Sequence, residues 1–252
     1  MPEPDPRSQL PAVQHLVVRY AKRGKMRFAS HRDVARAFER GVRRAGLPIA
    51  YSAGFSPHPK ISYAGGAPTG TASEAEYLSL ALTARQAETQ VCQRLDAALP
   101  DGIDVIEVTE ESSGAPKGVL EASEWRVVLP GVSPAAAEQA VASFLTLGEA
   151  PVERLTDKGV RRMDARAAVV EMNVIDADEL AADPDGGQRV ATTGHKDCAM
   201  LRMVVLHTAP AVRPEDVLTA LRDGSGIAAS SPPLTTRLAQ GSRALLTGET
   251  GS

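Results

Sequence analysis

Apolar and polar positions alternate in two stretches of the first half of the chain. In "VQHLVVRYAKRG" the apolar residues near Val13, Leu16 and Val18 recur as on a strand. In "EAEYLSLALT", Ala75, Tyr77, Ser79 and Ala81 fall on one side and Glu76, Leu78, Leu80 and Leu82 on the other. Between these strands the period becomes helical. Ala35, Phe38, Val42 and Ala45 share one face, Ser30 is a good N-cap, and Asp33 sits three residues on, where a capping box needs an acid. The spacing predicts a helix from about Arg32 to Ala45 that stops near Gly46, with Pro48 beyond it. "PIAYS" and "KISYA" read as short strands joined by a loop. "ARQAETQVCQRLDAAL" reads as a helix with Val91, Leu95 and Leu99 inward, and "GIDVIEVTEE" as a strand. The order is β-α-β-β-α-β, the ferredoxin-like unit.

The second half repeats the theme with one strand extra. "SEWRVVLP" is a strand. "SPAAAEQAVASFLTL" is a helix with Ser133 as cap and Pro134 at its first position. "PVERLT", "RAAVVEMNVI" and "CAMLRMVVLHT" are strands, "RPEDVLTALRDG" is a helix ending at Gly224, and "LTTRLAQ" is the last strand. The fold class expected is α+β, two tandem ferredoxin-like domains with antiparallel sheets. The first domain spans 12–111 and the second 119–240, with a boundary near "ESSGAPKG" and a mobile insert at 176–197, rich in Asp, Gly and Thr. Residues 1–11 hold Pro2, Pro4, Pro6 and Pro11 and read as a disordered lead-in without the apolar region of a secretory signal. Residues 241–252 read as a disordered tail.

Composition narrows the class. No apolar run approaches the ~18 residues of a membrane span, so no membrane association is expected. Two distant cysteines, Cys92 and Cys198, form neither a disulfide framework nor a metal knuckle, which fits a reducing cytoplasm. The charge is uneven. The chain has 28 Lys and Arg against 31 Asp and Glu, a net charge of −3. Yet residues 1–66 hold twelve cations and only four carboxylates (Glu3, Asp5, Asp33 and Glu39), a local +8 that leaves −11 for the remainder. A basic lobe on an acidic protein implies a localised polyanion site.

The candidate chemistry sits in that lobe. Arg32, Arg36, Arg40 and Arg43 or Arg44 recur three to four residues apart on one helical face, and Lys22, Arg23, Lys25 and Arg27 precede them. Two carboxylates are too few for these cations, so contact with a phosphate backbone is expected in preference to a solvated helix face. In "SAGFSPHPKIS", Ser56 and His58 each precede a proline and are held extended, while Gly54 permits a left-handed turn. Phe55, His58 and Lys60 then suit a nucleotide by stacking, an edge hydrogen bond and a phosphate contact, unless Phe55 is tucked into the core. His31 reads as a capping-turn histidine. Its alternative is a general acid or base, and His31 and His58 are the candidates if the protein is a nuclease. "AGGAPTGTASEAEY" lacks the Gly-Lys-Ser/Thr of a triphosphate loop but could let an RNA backbone approach closely, and Glu74 and Glu76 read as flanking the strand. "TDKGVRRMDARAAV" either extends the basic surface or neutralises itself. "GHKDC", with His195 and Cys198, matches no zinc spacing, and no metal or cofactor is expected.

Ser30-His31-x-Asp33, "RRAGLPIAYSAGFSPHPKIS" and "GAPTGTASEAEYLSLAL" resemble the radical-SAM-linked proteins, domains of unknown function encoded beside or fused to cobalamin-binding radical-SAM proteins. The resemblance spans residues 14–110 and is looser beyond, where "TDKGVRRMDAR" matches best. It implies a radical-SAM or cobalamin-binding partner. The radical chemistry would be the partner's, since a radical-SAM cluster needs three closely spaced cysteines. The first half is also distantly similar to the CRISPR repeat-processing endoribonucleases, tandem ferredoxin-like RNA binders with a glycine-rich loop late in the chain. "GSGIAASSPP" is a poor stand-in for that loop, so this likeness implies RNA binding more than cleavage. Three functions are therefore expected in order: a non-catalytic RNA-binding accessory module, a metal-independent endoribonuclease using His31 or His58, and a protein-interaction adaptor.

Overall fold

The computed structural model describes residues 10–53, 55–111, 120–156, 159–175 and 198–248. The expected insert at 176–197, most of the lead-in and of the linker, Gly54, Lys158, His195 and the last four residues lie outside the described residues. The chain is an α+β protein that divides into two compact units, residues 1–118 and 119–252.

In the first unit, β1 (Gln14–Lys22) leads through a 3-10 turn (Gly24–Phe28) into α1 (His31–Arg44). β2 (Ile61–Ala64), β3 (Ala72–Leu82), α2 (Glu88–Asp96) and β4 (Ile103–Glu110) follow. All pairings are antiparallel and the strand order is β4-β1-β3-β2. Leu16, Val18 and Tyr20 of β1 and Leu78, Leu80 and Leu82 of β3 share one face of the sheet. Phe38 and Val42 of α1 and Val91 and Leu95 of α2 pack onto it. Each such side chain, fully buried, contributes about 1.5–3 kcal/mol, more than any surface ion pair in the unit. "PIAYS" forms isolated bridges, Ile49 to Leu82 and Tyr51 to Pro59, and not a strand, because its backbone bonds divide between β3 and residues 58–60. The α2 helix begins at Glu88, four residues later than the apolar pattern reaches.

The second unit contains β5 (Ala122–Pro130), α3 (Pro134–Leu145), β6 (Pro151–Thr156), β7 (Gly159–Asp164), the one-turn α4 (Ala165–Ala168) and β8 (Val169–Ile175). β9 (Cys198–Leu206), α5 (Pro214–Ser225), β10 (Leu234–Gly241) and α6 (Arg243–Thr247) complete it. The main sheet has the order β10-β5-β9-β8, again antiparallel. β6 and β7 pair only with each other and form a separate hairpin.

This unit departs from the expected elements in two places. β7 is a strand that the pattern does not show: Val152 and Met163 face each other across the hairpin and enter the core, which fixes it. Residues 242–248, expected within a disordered tail, form a helical turn: Ser242 caps α6 and Leu246 packs against Ala122 and Val204. α5 runs to Ser225 and ends on Gly226 at φ +73°, a left-handed conformation that glycine adopts without strain.

Candidate nucleic-acid interface

α1 owes its start to Ser30. Its hydroxyl accepts from the Asp33 amide at 3.2 Å, and the Asp33 carboxylate accepts from the Ser30 amide at 3.2 Å and from its hydroxyl at 2.6 Å. Those bonds from Ser30, with help from Arg36 and Arg32, hold the Asp33 carboxyl below its ordinary range. Val34, Ala37, Phe38, Gly41 and Val42 turn inward. The helical period then forces Arg32, Arg36, Arg40 and Arg43 outward, and all four are exposed. None of their side chains has a hydrogen bond or ion pair among the described residues. Arg44, at the flank, donates to the Ala98 carbonyl at 3.1 Å and so clamps α1 to the end of α2.

The cations before the helix divide into two kinds. Lys22 is buried, and its Nζ donates to the carbonyls of Ala67 and Pro68 at 3.3 and 3.4 Å. Arg27 is also buried and donates through Nε to the Gly70 carbonyl at 2.9 Å. Arg23 donates through Nε to Glu74 Oε1 at 2.8 Å, through a second nitrogen to Glu74 Oε2, and through Nη1 to Asp104 at 2.8 Å. The bond to Glu74 is the chief cause of its pKa being pushed up. These three residues, expected on the nucleic-acid surface, instead hold the fold. Lys22 and Arg27 anchor the glycine-rich loop 65–71, together with Glu76, whose buried carboxylate accepts from the Ala67 amide at 3.0 Å. Lys25 alone of the group is exposed and has no partner among the described residues.

The loop from Tyr51 to Pro59 closes on itself. The Ser52 amide donates to the His58 carbonyl at 2.9 Å, the His58 amide to Ser52 Oγ at 3.0 Å, and the Lys60 amide to the Ala50 carbonyl at 2.8 Å. Pro59 is buried, while His58 and Lys60 are exposed and Phe55 is fully exposed at 102 %. Phe55 is therefore not a core residue. His31 is exposed but not free-standing. Its ring meets Tyr63 edge-on at 5.2 Å, and a Cβ placed on Gly66 would lie 3.4 Å from His31 Cδ2 and 3.8 Å from Glu76 Oε2. Burial, helped by Glu39, pushes the Tyr63 phenol up, so it is neutral at pH 7.

In the second unit the arginines of "TDKGVRRMDARAAV" are mostly spent. Arg162 pairs with Glu153 at 2.7 Å, and Arg166 donates to the carbonyls of Leu145 and Val169. Arg154, on the facing strand, pairs with Asp216 at 2.5 Å. Among the described residues no cluster of His, Cys, Asp or Glu is placed to hold a metal.

Two features escape the sequence pattern. Phe28, last residue of the 3-10 turn, is 61 % exposed. His207 stands 2.7 Å from Ser123 Oγ through Nε2 and 2.8 Å from the Leu120 carbonyl through Nδ1. Burial, and secondarily Arg237, lowers its pKa against the opposing carbonyl bond. Ser123 is wholly buried while His207 is exposed, and the bond between them ties β5 to the end of β9.

The molecule is thus an α+β protein of two units, the first carrying a helix with an arginine-studded solvent face. Residues 15–214 match the family described as an uncharacterized protein conserved in bacteria (DUF2344), and the chain belongs to it. No curated protein matches the chain. No helix among the described residues is long and apolar enough to cross a membrane.

Proposed function

We propose that this protein is a non-catalytic RNA-binding module that presents RNA to a separate radical-SAM enzyme. The observation that carries the reading is the row Arg32, Arg36, Arg40 and Arg43, exposed and without ion pairs among the described residues. Successive turns of a helix place such groups about 6 Å apart. At that spacing two like charges in water repel by about 0.7 kcal/mol before salt screening. The row therefore costs the folded state, and a bound phosphate backbone reverses the sign of that cost. Exposed Lys25, His58, Lys60 and Phe55 add cations and an aromatic face. The enzyme partner rests on the likeness of "GFSPHPKIS" and its flanks to the radical-SAM-linked proteins. We read both units as ferredoxin-like, supported by the 4-1-3-2 pattern of strands in each sheet once the β6–β7 hairpin is set apart.

The test is one gel. Purified protein and total cellular RNA are mixed in EDTA, with half irradiated and half left to react. A crosslinked band over intact RNA, lost in the Arg36→Glu/Arg40→Glu variant, is the expected result. Discrete fragments that vanish in His31→Ala or His58→Ala would replace the module with a metal-independent endoribonuclease. No band and no fragments, with an acidic protein retained instead, would make it an adaptor.

A further inference from the structure

The 3-10 turn inverts the usual placement of side chains. It buries the cation Arg27 to 3 % and turns the aromatic Phe28 out to 61 %. Arg27 is held in by the Gly70 carbonyl, and the Gly70 amide donates back to the Arg27 carbonyl at 2.7 Å. Phe28 is consequently fixed outward by its neighbour. The loop Tyr51–Pro59 does the same with Phe55, burying Pro59 and presenting the ring wholly to solvent.

The segments that carry the two rings are rooted at opposite ends of α1. β1 runs from Gln14, paired with Leu82, to Lys22, paired with Ser73. The turn and the start of α1 follow Lys22, and His31 meets Tyr63, which pairs with Leu78. The loop bearing Phe55 is rooted at the other end, where Ile49 bridges Leu82 and Ile61 pairs with Leu80. Fourteen residues of α1, about 21 Å long, lie between the two levels and carry the arginine row.

We infer that the RNA taken by this surface is an unpaired strand, its bases stacked on Phe28 and Phe55 and its intervening phosphates on Arg32, Arg36, Arg40 and Arg43. This rests on the RNA-binding reading above and adds the form of RNA. A duplex hides its base faces, so two exposed rings flanking a cationic row gain nothing from it. Unstacked bases gain from each ring, and every base has such a face, so the preference is for single strands over sequence.

The experiment uses fluorescein-labelled U12 and a 12-base-pair RNA duplex, followed by anisotropy with the full chain. U12 should bind at least tenfold tighter than the duplex. Phe28→Ala and Phe55→Ala should each weaken U12 by about tenfold and leave duplex binding within about twofold. Both positions are exposed, so melting temperatures should stay at the wild-type value. Phe28→Trp should retain affinity, and its indole emission should be quenched by U12; the chain's single tryptophan, Trp125, is buried in the second unit. Equal affinity for duplex and U12, or unchanged U12 binding in both alanine variants while Arg36→Glu/Arg40→Glu abolishes it, would overturn the stacking inference and leave the RNA reading standing. No binding of either RNA by the wild type would overturn both.

Discussion

Replacing Arg23 by Met separates the cations that build the fold from those that face solvent. Arg23 lies in the most basic part of the chain, but its three side-chain hydrogen bonds end on Glu74 and Asp104. A hydrogen bond to a charged group contributes about 1.5–3 kcal/mol. The Asp104 carboxylate is 44 % exposed and counts for little after screening. Glu74 is 17 % exposed and would lose the donor to both of its carboxylate oxygens. The expected loss is about 2–4 kcal/mol, which lowers the melting temperature by roughly 10 °C for a unit of this size. Below that transition, RNA affinity measured by anisotropy should stay within about twofold of wild type. Arg36→Glu should do the opposite, costing affinity without lowering the melting temperature. Lost affinity in Arg23→Met with no change in melting would show that Arg23 leaves Glu74 for the RNA, and the division would fail.

Three further perturbations probe the second unit. Gly131 sits at φ +80°, and a Cβ there would lie 2.5 Å from Ser230 Oγ and 3.3 Å from the Ser230 amide. Gly131→Ala should therefore cost about 2–4 kcal/mol in urea unfolding. The lowered pKa of His207 means the unfolded chain binds its proton first. Stability from this group is full above the ordinary value of 6.5 and falls as the pH drops through the folded value. Melting temperature should thus decline more between pH 7 and 5 in the wild type than in His207→Gln. Leu246→Ser should release α6 at a cost of about 1–2 kcal/mol, read as faster proteolysis between Arg243 and Gly248.

What could be read along the chain follows from how local each determinant is. α1 is local: Ser30 and Asp33 close its cap, and Gly46 ends it at φ +58°. β3 is nearly local, because its alternation puts Leu78, Leu80 and Leu82 into the core. The fate of Lys22 and Arg27 is not, since the carbonyls that bury them lie more than forty residues away in the 65–71 loop. Phe55 has no apolar period around it, so core and surface stay equally open until the loop is built. β7 escaped because its first four residues are all exposed and show no alternation; of its residues Met163 alone is buried. The five-residue α6 is too short to display a period, and Leu246 meets its partners only when β5 and β9 are adjacent.

The salt dependence of U12 binding tests the arginine row most directly. Each phosphate contact on a single strand contributes about −0.7 to the slope of log affinity against log salt. Four arginines should give the wild type a slope near −3, and Arg36→Glu/Arg40→Glu should lose at least about 1.4 of it with most of the affinity. A wild-type affinity that does not change with salt, or a slope left intact by the double reversal, would contradict phosphate binding on α1.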